Sequence, residues 1–329
     1  MAITKHQGIK IEGIVNVIPE NIIDNLNFTL IDILSREKLI EHTGIRYRRI
    51  SKLPVKSLFT RGIEEILELT NWGLEDIDVL ICVTQTHETS IPSIACQLHG
   101  ELNFEQHTLC YDINSGCSGY IYGLQTISSI LASINKSKTR ALLCCGDVST
   151  HLLSENDSST QPIFSDAISV TAIEYDFNDS DTNAYFNLET IGKGQKAIYT
   201  EVNDDNKKIM RLNGIDVFAY SVKYVPQNIK TLFEAAQIKQ ESVSTYIFHQ
   251  ANKLINDAIV RKLKLKSELV PQTLGLYGNT ASASIPITLC TQLENIKDWV
   301  ILSGFGVGFS VASAAIKLPK SLKCKTIEI

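Results

Sequence analysis

Tyr111–Ser133, YDINSGCSGYIYGLQTISSILAS, reads as a strand end, a turn of small residues holding one cysteine, and then a helix. Ser115, Gly116, Ser118 and Gly119 leave almost no side-chain bulk around Cys117. From Tyr120 the apolar residues Ile121, Leu124, Ile127, Ile130 and Leu131 fall at three- and four-residue steps, the period of a helix face. A thiol at a helix N-terminus feels the positive end of the dipole, which lowers its pKa. Bare surroundings also admit a carbonyl carbon and backbone N–H donors. An acyl-accepting nucleophile would be built this way; a structural buried cysteine is the alternative that this stretch alone leaves open.

Strands and helices alternate on either side of it. Ile9–Ile18 is strand-like and Pro19 ends it, with a helical stretch following to about Glu41. Val55–Thr70 is a helix, Val79–Val83 a short buried strand, and His107–Ile113 the strand that leads to Cys117. Arg140–Cys145 and Ile163–Ile173 are further strands. The pattern means an α/β protein with a largely parallel sheet. Phe177–Lys208, rich in Asp, Asn and Lys, holds one or two marginal strands, and the boundary falls at its start, giving halves 1–176 and 177–329.

The second half repeats the first. A helix around Pro226–Ala236 precedes the strand Tyr246–Phe248, as Val55–Thr70 precedes Val79–Val83. Gly278–Leu293 matches the cysteine turn and its helix, and Trp299–Ser303 matches Arg140–Cys145. The pairs share one spacing, close to half the chain, which separate coincidences would not. Two similar α/β halves leave a site between them. His249, in Phe248–Asn252 (FHQAN), sits past a strand's carboxyl end, where ligands collect in α/β sheets. Asn279 opens the second small-residue turn at the place of Ser115, and Gly304–Gly308, GFGVG, follows the last buried strand with free backbone N–H groups.

Composition bounds the rest. The 329 residues are 44 % apolar and 20 % charged, with a net charge of −5, which argues against nucleic acid as a partner. The N-terminus MAITKHQGIKIEG lacks a signal peptide's apolar core and no run reaches a membrane span, so the expected location is cytoplasmic. Eight cysteines lie mostly in apolar stretches with no CxxC, and seven histidines form no HxxxH, so neither a disulfide frame nor a metal is expected.

In this order, the cysteine turn, HQAN, GNTxxASxP and GFGVG resemble the beta-ketoacyl-acyl carrier protein synthase III family, within the thiolase-fold condensing enzymes. TGIRYRR (Thr43–Arg49), IPSIACQLH (Ile91–His99) and RLNGIDVFAY (Arg211–Tyr220) fit it too. The resemblance implies a five-layered αβαβα sandwich, Cys117 as nucleophile, His249 and Asn279 as its partners, and an oxyanion hole from the N–H groups of Cys117 and Val307. It implies that Phe305 gates acyl transfer and that Ile91 reaches into the acyl pocket of the other subunit of a homodimer. Its reaction is acyl loading on cysteine, then decarboxylative condensation with a malonyl thioester on acyl carrier protein, in fatty-acid-like or specialised metabolism, without metal or redox cofactor. Ile91, smaller than the usual aromatic, hints at a roomier pocket.

The chain also departs from the pattern. A Trp and an Arg that hold the adenine of coenzyme A are replaced by Lys38 and His42, and two further arginines fall at Leu254 and near Ser158–Ser159. FGDGAGA reads FSDAISV at Phe164–Val170. The expected acyl donor therefore rides on a carrier protein, or is coenzyme A held loosely. Carrier proteins are acidic, and two basic clusters could meet one: Lys253, Arg261, Lys262, Lys264 and Lys266, or Arg46, Arg48 and Arg49. Ester or amide formation on the same acyl-cysteine, with His249 as general base, is the rival chemistry; a non-catalytic partner subunit would have lost the nucleophile.

Overall fold

The computed structural model describes residues 2–179 and 182–329. One sheet runs in the order β15 (Lys323–Glu328), β2 (Ile9–Ile18), β8 (Ala167–Asp176), β7 (Lys138–Asp147), β5 (Val79–Val83), β6 (Leu109–Ile113). The other runs β1 (Ala2–Gln7), β9 (Asn183–Thr190), β14 (Ser310–Ile316), β13 (Trp299–Gly306), β12 (Val243–Phe248). Two ribbons stand apart, β3 (Ile22–Asp24) with β4 (Tyr47–Arg49), and β10 (Ile198–Val202) with β11 (Lys208–Leu212). The helices are α1 (Ile33–Thr43), α2 (Val55–Thr70), α3 (Ile94–Glu101), α4 (Gly119–Leu131), α5 (Gly214–Ala236), α6 (Lys253–Leu263), α7 (Leu274–Tyr277) and α8 (Ser284–Cys290).

Alternation along each strand feeds two cores at once. Val79, Ile81 and Val83 of β5 pack with Ile121 and Leu124 of α4, while Leu80 and Cys82 pack with α2 and α3. In the second sheet Val300 and Leu302 join Ile285 and Leu289 of α8, while Ile301, Tyr246 and Phe248 meet α5 and α6. The layers are therefore α2 and α3, sheet, α4 and α8, sheet, α5 and α6: the five-layered αβαβα sandwich of a thiolase-like fold. Each of these large side chains contributes about 1.5–3 kcal/mol by its burial. The duplication is visible in the pairings. β2–β8–β7–β5 and β9–β14–β13–β12 share the same sequence of antiparallel, antiparallel and parallel neighbours.

Several expectations need correction. The sheets are mixed rather than largely parallel, because β7 with β8 and β13 with β14 are antiparallel neighbours. Residues 20–41 are not one helix. Asp24 caps a short turn after β3, and α1 begins only after Asp32, whose carboxylate accepts from the Ser35 N–H at 3.0 Å. The strand expected from Ile163 starts at Ala167, and Phe164 instead bridges to Asn279. GFGVG does not follow a last strand: Gly304–Gly306 end β13, and the chain then turns into β14.

β9 is a full strand rather than a marginal one, and it is an interior strand of its sheet. Its buried Asn187 donates to the Asn228 carbonyl of α5 at 3.0 Å, and Asn228 donates back to the Asn187 carbonyl at 3.3 Å. The helix expected to start at Pro226 starts at Gly214 with Pro226 inside it. Val217, Ser221, Val225, Ile229 and Leu232 make one continuous buried face, which outweighs the roughly 3 kcal/mol that an interior proline costs. Among the described residues no helix is long and apolar enough to cross a membrane.

Candidate active site

Cys117 lies where the two halves meet. It lies two residues before α4 and is 5 % exposed. His249 follows β12, is 1 % exposed, and stands edge-on to Phe305 at 5.4 Å. Asn279 precedes the turn into α8. Cys117, His249, Asn279, Phe305 and Gly306 line one chamber, with Asn252 and Ile255 of the α6 entry. Its free volume is about 40 Å3. Sequence reasoning thus named a set of residues that the fold does bring together.

The electrostatics differ from expectation at the sulfur. Burial and the nearby Asp147 carboxylate push the Cys117 thiol up to about 12, whereas a helix N-terminus was expected to lower it. The first helical residue is Gly119, so the dipole does not offset full desolvation. Two backbone N–H groups, of Cys117 itself and of Val307, hydrogen-bond to the sulfur and pull the other way. The N–H pair named from sequence is therefore aimed at the reacting atom. A serine relay across the halves fixes it: Ser118 Oγ meets Ser310 Oγ at 2.6 Å, and Ser310 Oγ donates to the Val307 carbonyl at 2.7 Å.

Glycine is required beside it by space. A Cβ on Gly304 would sit 2.7 Å from the Ser118 Cα and 2.8 Å from the Cys117 carbonyl oxygen. On Gly306, whose φ is +151°, it would sit 2.9 Å from the Cys117 Cβ and 3.1 Å from the sulfur. Gly306→Ala is accordingly expected to cost about 1–3 kcal/mol of stability and to slow acylation of Cys117 by more than about tenfold. Thermal unfolding and intact-mass kinetics on the same sample check both.

His249 is held neutral. Burial pushes its pKa down to about 3, and the backbone of Ala281 opposes this only weakly. Its Nδ1 is 2.7 Å from Ser284 Oγ, which accepts the Gln250 N–H at 3.3 Å. The contact suits the tautomer that carries its hydrogen on Nε2, with Ser284 donating to Nδ1. Asn279 is fixed in the same sense: Oδ1 accepts the Ala281 N–H at 3.0 Å, while Nδ2 has only a 3.5 Å contact with the Ala251 carbonyl. Imidazole and carboxamide both offer N–H donors to the chamber. Ser284 was missed in the sequence reading, although its place five residues past Asn279, on the turn into α8, was a usable signal.

The His249 shift has a pH consequence. Its pKa falls from 6.5 to about 3 on folding, so the folded state binds fewer protons between those values. Its contribution is present above pH 6.5 and is lost as pH falls toward 3, about 3–5 kcal/mol in all. Wild-type unfolding temperature should fall more steeply over this window than that of His249→Gln. Asp147 and Asp166, raised by burial, act in the opposite direction in both proteins and cancel in the comparison.

The remaining sequence candidates lie elsewhere. Ile91 is 85 % exposed and lines neither chamber at Cys117. Arg261, Lys262 and Lys264 are exposed around the end of α6. The alternative cluster is excluded as a docking patch. Arg48 and Arg49 are 6 % and 8 % exposed, bonded to Asn25 and to the Pro19 carbonyl, and Arg46 pairs with Asp24. Asp166 braces the loops, accepting from the Ser51 and Thr150 N–H groups. Lys38 and His42 are exposed on α1.

Comparison with known proteins agrees with this geometry. The model for 3-oxoacyl-[acyl-carrier-protein (ACP)] synthase III matches residues 111–192, and the one for its C-terminal part matches 233–318. A putative 3-oxoacyl-[acyl-carrier-protein] synthase 3 of Campylobacter jejuni is 30% identical over 99% of this chain and 98% of its own. The beta-ketoacyl-[acyl-carrier-protein] synthase III of Bacillus pumilus is 29% identical over 93% and 97%. The crystal structure of a 3-oxoacyl-(acyl-carrier protein) synthase from Burkholderia xenovorans superposes with a TM-score of 0.93 at 28% identity, covering 99% of both chains.

Proposed function

Because the chain belongs to the 3-oxoacyl-[acyl-carrier-protein] synthase III family, we propose that it joins an acyl group to a malonyl unit with loss of carbon dioxide. In the first step the Cys117 sulfur attacks an acyl thioester. A tetrahedral intermediate forms, its oxyanion facing the Cys117 and Val307 N–H groups; the acyl group stays on sulfur, and the thiol proton leaves with the departing thiol. A malonyl thioester then enters the His249 chamber and loses carbon dioxide. The enolate oxygen takes hydrogen bonds from His249 and Asn279, its carbon attacks the acyl-cysteine, and Cys117 regains a proton as the beta-ketoacyl thioester departs.

One observation carries this reading. His249 and Asn279 line the same chamber as the thiol and both present donors, while neither is a base: the amide never is, and burial holds the imidazole near 3. Ester or amide formation would ask His249 to act as a general base, a role that its burial disfavours. The acyl donor is a carrier-bound phosphopantetheine thioester in this reading, since Lys38, His42 and Leu254 stand where a nucleotide clamp would. Exposed Arg261, Lys262 and Lys264 are the surface offered to an acidic carrier, and exposed Ile91 is the surface offered to a second copy of the chain. The reaction itself draws only on the side chains and N–H groups named, in a cytoplasmic protein. The test is carbon dioxide release from malonyl-carrier protein after loading from a panel of acyl thioesters. Acyl-dependent release is expected; a stable acyl-cysteine without release would overturn the condensation.

A further inference from the structure

β15 ends the chain and covers the edge of β2, with Lys323 beside Gly13 and Glu328 beside Ile18. Alternate side chains of a strand face opposite layers. Lys323 and Lys325 reach outward to α2: Lys323 Nζ donates to the Leu69 carbonyl at 3.1 Å, and Lys325 Nζ pairs with Glu65. Cys324 faces inward and packs against the core that α4 and α8 share. Its partner there is Cys290, the last residue of α8, whose Sγ donates to Cys324 Sγ at 2.6 Å.

Both are free thiols on half-buried residues, and neither lines a chamber at Cys117. Their sulfurs stand close enough that a bond between them asks no movement of helix or strand. Cys96 and Cys110 also approach, but at 3.7 Å, and they join α3 to β6, 14 residues apart. Cys290 and Cys324 are 34 residues apart, and a link that closes the longer loop restricts the unfolded chain more. The place of the pair also has a use. A terminal strand is where fraying starts, and losing β15 would bare the edge of β2.

We propose that Cys290 and Cys324 form a reversible disulfide that straps β15 to α8. The oxidant is a low-molecular-weight disulfide such as oxidised glutathione. One protein thiolate attacks it, forming a mixed disulfide and releasing one reagent thiolate; the second protein thiolate then displaces the other. Two protein thiols are oxidised to one disulfide, one reagent disulfide is reduced to two thiols, and the two protein protons pass to the leaving thiolates. A single bridge of this kind is not the disulfide frame of a small secreted domain. In a reducing compartment it is transient and reports the redox state. The strap is independent of the condensation, since it uses neither Cys117 nor the groups around it.

The test treats the full chain with oxidised glutathione, then unfolds it and alkylates the remaining thiols with N-ethylmaleimide. Intact mass should show two fewer maleimides than the reduced protein, and peptide mapping should place the bridge between Cys290 and Cys324. The unfolding temperature should rise by at least about 3 °C on oxidation, and dithiothreitol should reverse both changes. Cys324→Ser should form no such bridge and show no rise. If that variant does not fold, Cys290→Ser takes its place, and the oxidised and reduced wild-type chains still decide between them. A bridge mapped only to Cys96 and Cys110, a glutathione adduct that persists on Cys290 or Cys324, or no loss of thiols at that pair would overturn the disulfide. A bridge at the pair with an unchanged unfolding temperature would overturn the strap.

Discussion

Cys117→Ala is expected to abolish acyl capture outright. Incubation with an acyl thioester should add the acyl mass to the wild-type chain and nothing to the variant, and acyl-dependent carbon dioxide release should fall by at least about 10⁴-fold. The fold should survive, because the sulfur is a small part of a wall already made by Gly306 and Val307, and the loss of so few buried atoms costs about 1–2 kcal/mol. Seven other cysteines are present and Cys96 is exposed, so the adduct is mapped by peptide mass to the residue that carries it. Acyl-dependent carbon dioxide release persisting in Cys117→Ala would move the nucleophile elsewhere and undo the reading.

His249→Ala and Asn279→Ala should separate the two half-reactions. Each removes one donor to the enolate, worth about 3–4 kcal/mol, so carbon dioxide release should drop about 10²–10³-fold in either. Acylation of Cys117 should suffer far less, because its oxyanion is held by backbone N–H groups that neither substitution touches. The double variant should be less than multiplicative, since both donors serve one oxygen. Parallel measurement of adduct formation and gas release on each variant decides it. If His249→Ala lost acylation as severely as condensation, the imidazole would be acting on the thiol, and the donor role would fail.

Where local chemistry sets structure, the sequence was readable. Ile9–Ile18, Val55–Thr70 and Val79–Val83 have the residue bounds expected, because the composition of each stretch sets its local structure. The constellation Cys117, His249 and Asn279 was legible for a similar reason: Cys117 and His249 each lie between a strand and the helix after it, and Asn279 lies in a small-residue turn before α8. What escaped depends on partners far along the chain. β9 looks polar until α5 supplies the mates of Asn187, and α5 looks broken at Pro226 until the sheet beneath it offers a continuous face. Arg48 and Arg49 read as a docking patch because their partners, Asn25, the Pro19 carbonyl and Glu328, lie far from them along the chain. The raised thiol could not be read at all, since it depends on the desolvation of the finished interface and on Asp147.

The outermost strands are exchanged between the halves. Residues 2–7 pair with β9, in the sheet of the second half, and residues 323–328 pair with β2, in the sheet of the first. During synthesis the first half would emerge with β2 as an exposed edge, a template for pairing with other chains, and it would stay so until residue 323 and its successors left the ribosome. Assembly is therefore coupled to completion of translation. Neither half can be finished as a separate folding unit, and a stop codon before the last strand would leave an open edge on the half that carries the nucleophile.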